Sequence, residues 1–329
     1  MKRFLLPAVA AAAVLTLGGC TKTETVNVSE NRFIEFDAFI WKSTKAVEEV
    51  NTDNIKSFYV LGQKTPANGS PTDFFLNEQV YESATPGEWI YDDRKMWEEN
   101  TTYTFAAYSN GGLAKDEDGT HKIANVVWNG TQLTIDDYNA AQQANDLLVS
   151  IASNSTEVGT SNVPVQFSFQ HALSMIKFTI KSELGDNNNA IKISNFKVSG
   201  INAQAKLTYT TGNINWTEWS DPEDLLAENF TTTTSVPGAS EPFVVIPGEE
   251  GVGFTVTFTA TFIDDVDDTY KQDLTATISG QKFTAGYRYN YIATISGADM
   301  KVITFEEPDV TPWTDDSWGD NGPVISDLN

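Results

Sequence analysis

The sequence has few of the residues that most often carry out catalysis. It contains one cysteine, Cys20, and two histidines, His121 and His171, among 329 residues. One cysteine excludes a disulfide within the chain, so disulfides cannot stabilise this fold. The G-x-S-x-G, H-E-x-x-H and phosphate-binding glycine motifs are missing as well. We therefore expect no enzymatic activity, and we interpret His171 as a packed, hydrogen-bonded histidine.

Basic residues are also scarce. The sequence has 21 Lys and Arg against 45 Asp and Glu, a formal net charge of −24. Nucleic acids and anionic membrane surfaces both require a basic footprint, so neither is expected as a partner. The acidic stretch "KDEDGTHK" (115–122) lacks the ligand spacing and the closing glutamate of an EF-hand loop. We expect no metal site and no cofactor.

The long hydrophobic run is at the N-terminus. Phe4 to Leu17 follows the basic start "MKR", and this run is shorter than the roughly 20 residues that span a bilayer. The run ends in "LGGC" (17–20), which resembles a bacterial lipobox. The resemblance predicts a lipoprotein signal peptide at residues 1–19, acylation of Cys20 and attachment to the outer membrane. Two or more acyl chains give a stable anchor. The polar residues 20–32 are expected to form a tether.

The rest of the sequence has the alternation typical of β-strands. The clearest example is "GVGFTVTFTATFID" (251–264), in which apolar residues alternate with threonines. Turn-forming clusters such as "TTGN" and "LGDNNN" separate these runs. We predict an all-β fold of two antiparallel sandwich domains, at residues 33–167 and 168–329. Short helices are expected only near 137–147 and 221–228.

The first predicted strand covers residues 33–41. Its apolar residues at alternate positions are expected to share one face, and they are Ile34, Phe36, Ala38 and Ile40. The opposite face carries Phe33, Phe39 and Trp41 beside two carboxylates. Apolar residues on both faces are typical of a strand that is well buried.

Several stretches together resemble the fimbrillin family, the lipoprotein precursors of type V pili and related Mfa-like surface proteins. In chain order they are "IEFDAFIWKSTKA", "KMWEENTTYTFAAYS", "NDLLVSIASNS", "VQFSFQHALSMIKFTI", "FVVIPGEEG", "FTAGYRYNYIATI" and "ITFEEPDVTPWTDDS". The resemblance implies two transthyretin-like sandwich domains in tandem. It also implies a structural or adhesive subunit of a fimbria at the cell surface, with other pilus subunits as partners.

The same resemblance implies a route of assembly. A protease specific for Arg or Lys would release the first strand, and a donor strand from a neighbouring subunit would replace it by β-augmentation. The basic residue of "STKA" is the candidate cleavage site, Lys45, and an ordinary loop lysine is the alternative. We expect residues 300–313 to be the donor segment, with an edge strand of the second domain as the alternative.

A different function remains open from the residues alone. Trp216 and Trp219 lie in the polar, turn-rich segment "NINWTEWSD". Exposed aromatic side chains can stack on sugar rings, although such residues often cap a core instead. The alternative function is therefore a monomeric surface lipoprotein that binds host or bacterial surface glycans, with Trp216 and Trp219 as contacts.

Overall fold

The computed structural model describes residues 33–40, 55–112, 114–140, 146–152, 163–184, 189–248, 253–263, 269–280, 282–296 and 303–313. Nineteen β-strands are formed within these residues. The first ten are β1 (Phe36–Ile40), β2 (Ser57–Pro66), β3 (Thr72–Glu82), β4 (Trp89–Ile90), β5 (Thr101–Asn110), β6 (Val126–Trp128), β7 (Leu133–Asn139), β8 (Leu147–Ile151), β9 (Val165–His171) and β10 (Ser174–Ser182).

The remaining nine strands follow in the second half of the chain. They are β11 (Ile191–Thr210), β12 (Asn213–Leu226), β13 (Phe230–Thr232), β14 (Gly238–Ala239), β15 (Phe243–Val245), β16 (Phe254–Ile263), β17 (Thr269–Ile278), β18 (Tyr287–Ile295) and β19 (Asp309–Pro312). The all-β prediction is thus confirmed.

The strands form three sheets. The first sheet has the order β1-β9-β8-β5-β2-β3-β4. The second has the order β14-β10-β18-β19, with β15 also paired to β10. The third has the order β17-β16-β11-β7-β6, and both β12 and β13 pair with β11. The 20-residue strand β11 therefore organises the third sheet.

The predicted alternation is observed in the long strands. In β16, Phe254, Val256, Phe258 and Ala260 are buried, and the threonines between them are partly exposed. A two-residue turn joins β11 to β12 at the predicted "TTGN" site, because Thr210 pairs with Asn213. Gly212 has a φ of 76° there, a conformation that glycine adopts without a steric penalty.

Two details of the prediction are wrong. The sheets are not purely antiparallel, because β1 pairs with β9 and β10 pairs with β18 in parallel. Residue alternation reveals a strand but not its partner, and a long connection permits either direction. The helix predicted near 221–228 is a strand instead, since β12 extends to Leu226. The helix predicted near 137–147 overlaps β7 only at residues 137–139; Ala140 is helical and residues 141–145 lie outside the described residues, so that helix stays a prediction. Propensity is a weak guide where sheet pairing decides the conformation.

Three clusters of buried side chains form the core. One lies within the first sheet and includes Phe36, Phe105 and Phe167. Another packs the second sheet on β11, β16 and β17. The middle cluster joins side chains from both halves of the sequence, for example Tyr108 and Leu207. In addition, β7 pairs with β11, so contacts cross the predicted domain boundary, and the division at 167/168 stays a prediction.

Candidate functional site

The first strand lies at the edge of the first sheet. Its five residues pair in parallel with β9, from Phe36 opposite Val165 to Ile40 opposite Phe169. Among the described strands, β9 is the only one that pairs with β1. An edge strand with one partner can be exchanged for another strand without breaking the remaining ladders of the sheet.

The side chains of this edge strand are nevertheless part of the core. Ile34 is fully buried and Phe36 is 4% exposed. The ring centroid of Phe36 lies 5.3 Å from that of Phe75, 5.5 Å from Tyr91 and 5.8 Å from Phe105 and Phe167. Phe36 therefore fills the space between four aromatic rings supplied by other segments.

The start of the strand is held from the opposite edge of the sheet. The Ile34 amide donates to the Lys95 carbonyl over 2.8 Å, and the Tyr91 hydroxyl donates to the Ile34 carbonyl over 2.8 Å. Phe33 forms an isolated antiparallel bridge with Met96. Residues 33–40 thus contact two parts of the sheet, since residues 36–40 pair with β9 and residues 33–34 contact the segment just beyond β4.

Electrostatic contributions to this contact are small. The Glu35 carboxylate lies 3.5 Å from the Arg94 guanidinium, and both side chains are exposed, so their attraction contributes little. Burial raises the pKa of Tyr91 to about 12. Tyr91 is therefore protonated at neutral pH and is able to donate its hydrogen bond to Ile34. Apolar packing and backbone hydrogen bonds hold the strand.

The four apolar residues of the predicted exchanged strand differ in burial and in how far the structure describes them. Ile34 and Phe36 lie in one core, and Ala38 packs against the same cluster while partly exposed. The backbone of Ile40 pairs with Phe169, but its side chain lies outside the described residues, as do Trp41, Lys45, Cys20 and residues 1–32. Strand release, cleavage and acylation therefore remain predictions.

Sequence reasoning did not identify Tyr91 and Lys95 as residues that hold the first strand. Lys95 acts through its backbone carbonyl, which has no sequence signature. Tyr91 lies in "YDDRK", outside any alternating run. A lone tyrosine among charged residues gives no indication that its hydroxyl reaches a carbonyl 57 positions away.

The predicted donor segment belongs to the second sheet where it is described. Asp309–Pro312 form β19 and pair antiparallel with Tyr287–Asn290 of β18. Phe305 forms an isolated bridge with Ala293. These contacts are those of an edge strand of the second sheet, and the donor role stays a prediction.

His171 is packed and hydrogen-bonded, as predicted. Its Nδ1 lies 2.7 Å from Asp146 Oδ2, and both side chains are buried. Its ring stacks on Trp313, with centroids 4.3 Å apart and an interplanar angle of 11°. This arrangement attaches the end of β19 to the middle cluster.

The two tryptophans predicted to contact glycans lie on β12. Trp216 is 5% exposed, and its indole N–H donates to the Ala172 carbonyl over 2.8 Å. Trp219 is partly exposed and donates to the Pro247 carbonyl over 3.0 Å. Both border a cleft of about 570 Å³. Glycan contact stays a prediction, and Trp219 has the larger exposed surface.

The described residues contain neither a membrane-spanning helix nor a metal-binding cluster. Within the described ranges, no helix has both the length and the apolar character needed to span a bilayer. In the same part of the chain, no three His, Cys, Asp or Glu side chains are grouped so that they could hold a metal ion.

Comparison with known proteins identifies the family. The model of the fimbrillin-like family matches residues 44–313, which is most of the chain, so this protein belongs to the fimbrillin-like family. The matched range begins after β1. No curated protein matches the sequence.

Solved structures with a similar chain trace have low sequence identity. A candidate cell adhesion protein from Bacteroides ovatus is 16% identical, with 87% of this chain and 99% of that chain covered and a TM-score of 0.50. One from Bacteroides uniformis is 19% identical, with 86% and 100% covered and a TM-score of 0.49. The fimbrial anchor protein Mfa2 from Porphyromonas gingivalis is 10% identical, with 85% and 98% covered and a TM-score of 0.35. At 16% identity, the similarity to the protein from Bacteroides ovatus shows a shared fold and nothing about function.

Proposed function

We propose that this protein is a structural or adhesive subunit of a cell-surface fimbria that assembles by exchange of its first strand. Membership of the fimbrillin-like family supports the fimbrial role. The geometry of β1 supports the exchange, because this strand is at the edge of its sheet while Ile34 and Phe36 are core residues. This combination of an edge position and buried side chains is the observation that carries the proposal.

The energetics favour replacement of the strand over its simple loss. Each fully buried side chain of this size contributes about 1.5–3 kcal/mol relative to an exposed one. Removal of β1 would expose the rings that surround Phe36 and the unpaired backbone groups of β9. An incoming strand with apolar residues at alternate positions would cover both, and its alternation would fix its register.

Export and attachment complete the proposal. The precursor would be acylated at Cys20 and held at the outer membrane by that lipid. Cleavage after Lys45 would then separate the folded part from residues 20–45, which carry both the lipid and the first strand. One cleavage would therefore free the acceptor groove and release the subunit from its anchor.

A cleavage experiment tests this mechanism. The non-acylated chain from residue 21 is treated with trypsin in limiting amount, and the products are examined by mass spectrometry and by SDS gel electrophoresis without boiling. We expect cleavage after Lys45, followed by a ladder of oligomers that disappears on boiling. Lys42→Gln combined with Lys45→Gln should prevent the ladder, because trypsin cleavage after either lysine would release the first strand. Lys42→Gln alone is the matched control that should not prevent it.

Two results would contradict the proposal. The first is a chain that is cleaved after Lys45 and stays monomeric at high protein concentration. The second is a ladder of equal intensity from the variant that carries both Lys42→Gln and Lys45→Gln, which would show that assembly does not depend on cleavage in this segment.

A further inference from the structure

The strand β12 contains a bulge beside the cleft described above. Gln204 of β11 pairs with Ser220, and Lys206 pairs with Thr217. Two residues of β12, Glu218 and Trp219, therefore lie opposite the single residue between them on β11. Glu218 has a φ of 57°, which is uncommon for a residue other than glycine. Bulges of this kind redirect side chains and are over-represented beside functional sites.

The bulge changes the side of the strand from which Trp219 projects. Residues three apart in a regular strand point to opposite faces. The extra residue puts Trp219 on the same side as Trp216, and their indole N–H groups reach Pro247 and Ala172 respectively. The backbone conformation of Glu218 is unfavourable for a residue with a side chain, and its result is the placement of a second tryptophan at the cleft.

The two tryptophans are not equivalent in this position. Trp216 is almost completely buried in the middle cluster, so its ring belongs to the core. Trp219 packs against the same cluster but remains partly exposed. Its hydrogen bond to Pro247 fixes the orientation of the ring. A partly exposed, fixed indole ring at the wall of a cleft can stack on a flat apolar surface of a ligand.

The polar residues of the cleft are available for hydrogen bonding. Gln170, Asn213 and Asn215 are exposed at its border together with Lys282. Their side chains form no hydrogen bond with other described residues. The described lining includes no carboxylate, although the chain has 45 Asp and Glu. Side-chain amides and an ammonium group provide both donors and acceptors for hydroxyl groups.

We propose that this cleft binds a saccharide, with one pyranose ring stacked on Trp219. Asn213, Asn215 and Gln170 would bind its hydroxyl groups, and Lys282 would donate at the border. The volume of about 570 Å³ lies within the range of small-molecule sites. A pyranose ring has one apolar face and a polar circumference, which is the chemistry that this cleft offers. The stacking residue Trp219 is on a different sheet from β1, since β12 and β1 belong to different sheets, and Gln170 is on β9 just beyond the residues that pair with β1.

The proposal is tested with the uncleaved chain from residue 21 on an array of neutral and acidic oligosaccharides. The strongest oligosaccharide is then titrated by calorimetry. We expect Trp219→Ala to weaken binding roughly tenfold or more, as expected for the loss of a stacked aromatic ring. Asn215→Ala is expected to weaken it severalfold and should leave the fold intact, because the Asn215 side chain is exposed.

Trp128→Phe is the matched control. It removes a buried indole that is outside the lining of the cleft, so it should lower the thermal midpoint and leave the affinity for the oligosaccharide within twofold. The absence of binding to every oligosaccharide on the array would overturn the proposal. So would equal affinity of the wild-type, Trp219→Ala and Asn215→Ala proteins. Neither result would affect the ladder assay for strand exchange.

Discussion

Replacement of Phe36 by alanine tests whether the first strand is held by its core side chains. The ring is 4% exposed and touches four other rings. Two of these, Phe75 and Phe105, also contact each other at 5.7 Å, so they cannot easily move into the vacated space. We therefore expect a loss near the usual range for buried phenylalanine, about 3–5 kcal/mol in the free energy of unfolding.

Urea unfolding followed by fluorescence measures this loss. The midpoint should fall while the slope with denaturant stays unchanged, as expected for a pure loss of stability. Glu35→Gln is the control on the same segment, because its exposed ion pair with Arg94 contributes at most about 1 kcal/mol. A loss below about 1 kcal/mol for Phe36→Ala would refute the reasoning, since the first strand would then not be part of the core.

Two further predictions concern buried carboxylates. Burial raises the pKa of Asp116, but hydrogen bonds from Tyr59 and from the His121 amide outweigh it and hold the pKa below its usual value. The contribution of Asp116 to the free energy of unfolding should be present at neutral pH and lost in acid below about pH 4. The unfolding free energies of wild type and Asp116→Asn should therefore converge in acid. A difference that stays constant with pH would contradict this. Asp146→Ala removes the hydrogen bond to His171 and should cost about 1.5–3 kcal/mol in thermal or urea unfolding. A change below 0.5 kcal/mol, taken as about half of a neutral hydrogen bond, would contradict that expectation.

The sequence was sufficient to predict strands but not their partners. In β16 the alternation of phenylalanine, valine and threonine predicts both the strand and its buried face, because side chains of a strand alternate between two environments. The parallel pairing of β1 with β9 depends on residues about 130 positions apart. Local periodicity contains no information about contacts at that distance. The predicted antiparallel direction is therefore wrong for two strand pairs, β1 with β9 and β10 with β18.

At the candidate sites, too, the sequence predicts which residues matter but not the contacts that place them. Burial of Ile34 and Phe36 followed from the apolar pattern of residues 33–41, whereas their contacts with Tyr91 and Lys95 did not. The aromatic character of the Trp216–Trp219 segment was visible in the sequence. The bulge at Glu218 was not, because the backbone angle at this residue arises from pairing with β11. That bulge decides which side of β12 Trp219 occupies.

The central claim is that the first strand must leave its groove before subunits assemble, and a reversible lock tests it directly. Asp37 and Gln166 are paired between β1 and β9, at a separation typical of adjacent strands that a disulfide can bridge. The chain from residue 21 has no cysteine of its own, so Asp37→Cys with Gln166→Cys introduces a single disulfide. After cleavage at Lys45, the oxidised protein should stay monomeric and the reduced protein should form the heat-sensitive ladder. Equal ladders under oxidising and reducing conditions would contradict the claim.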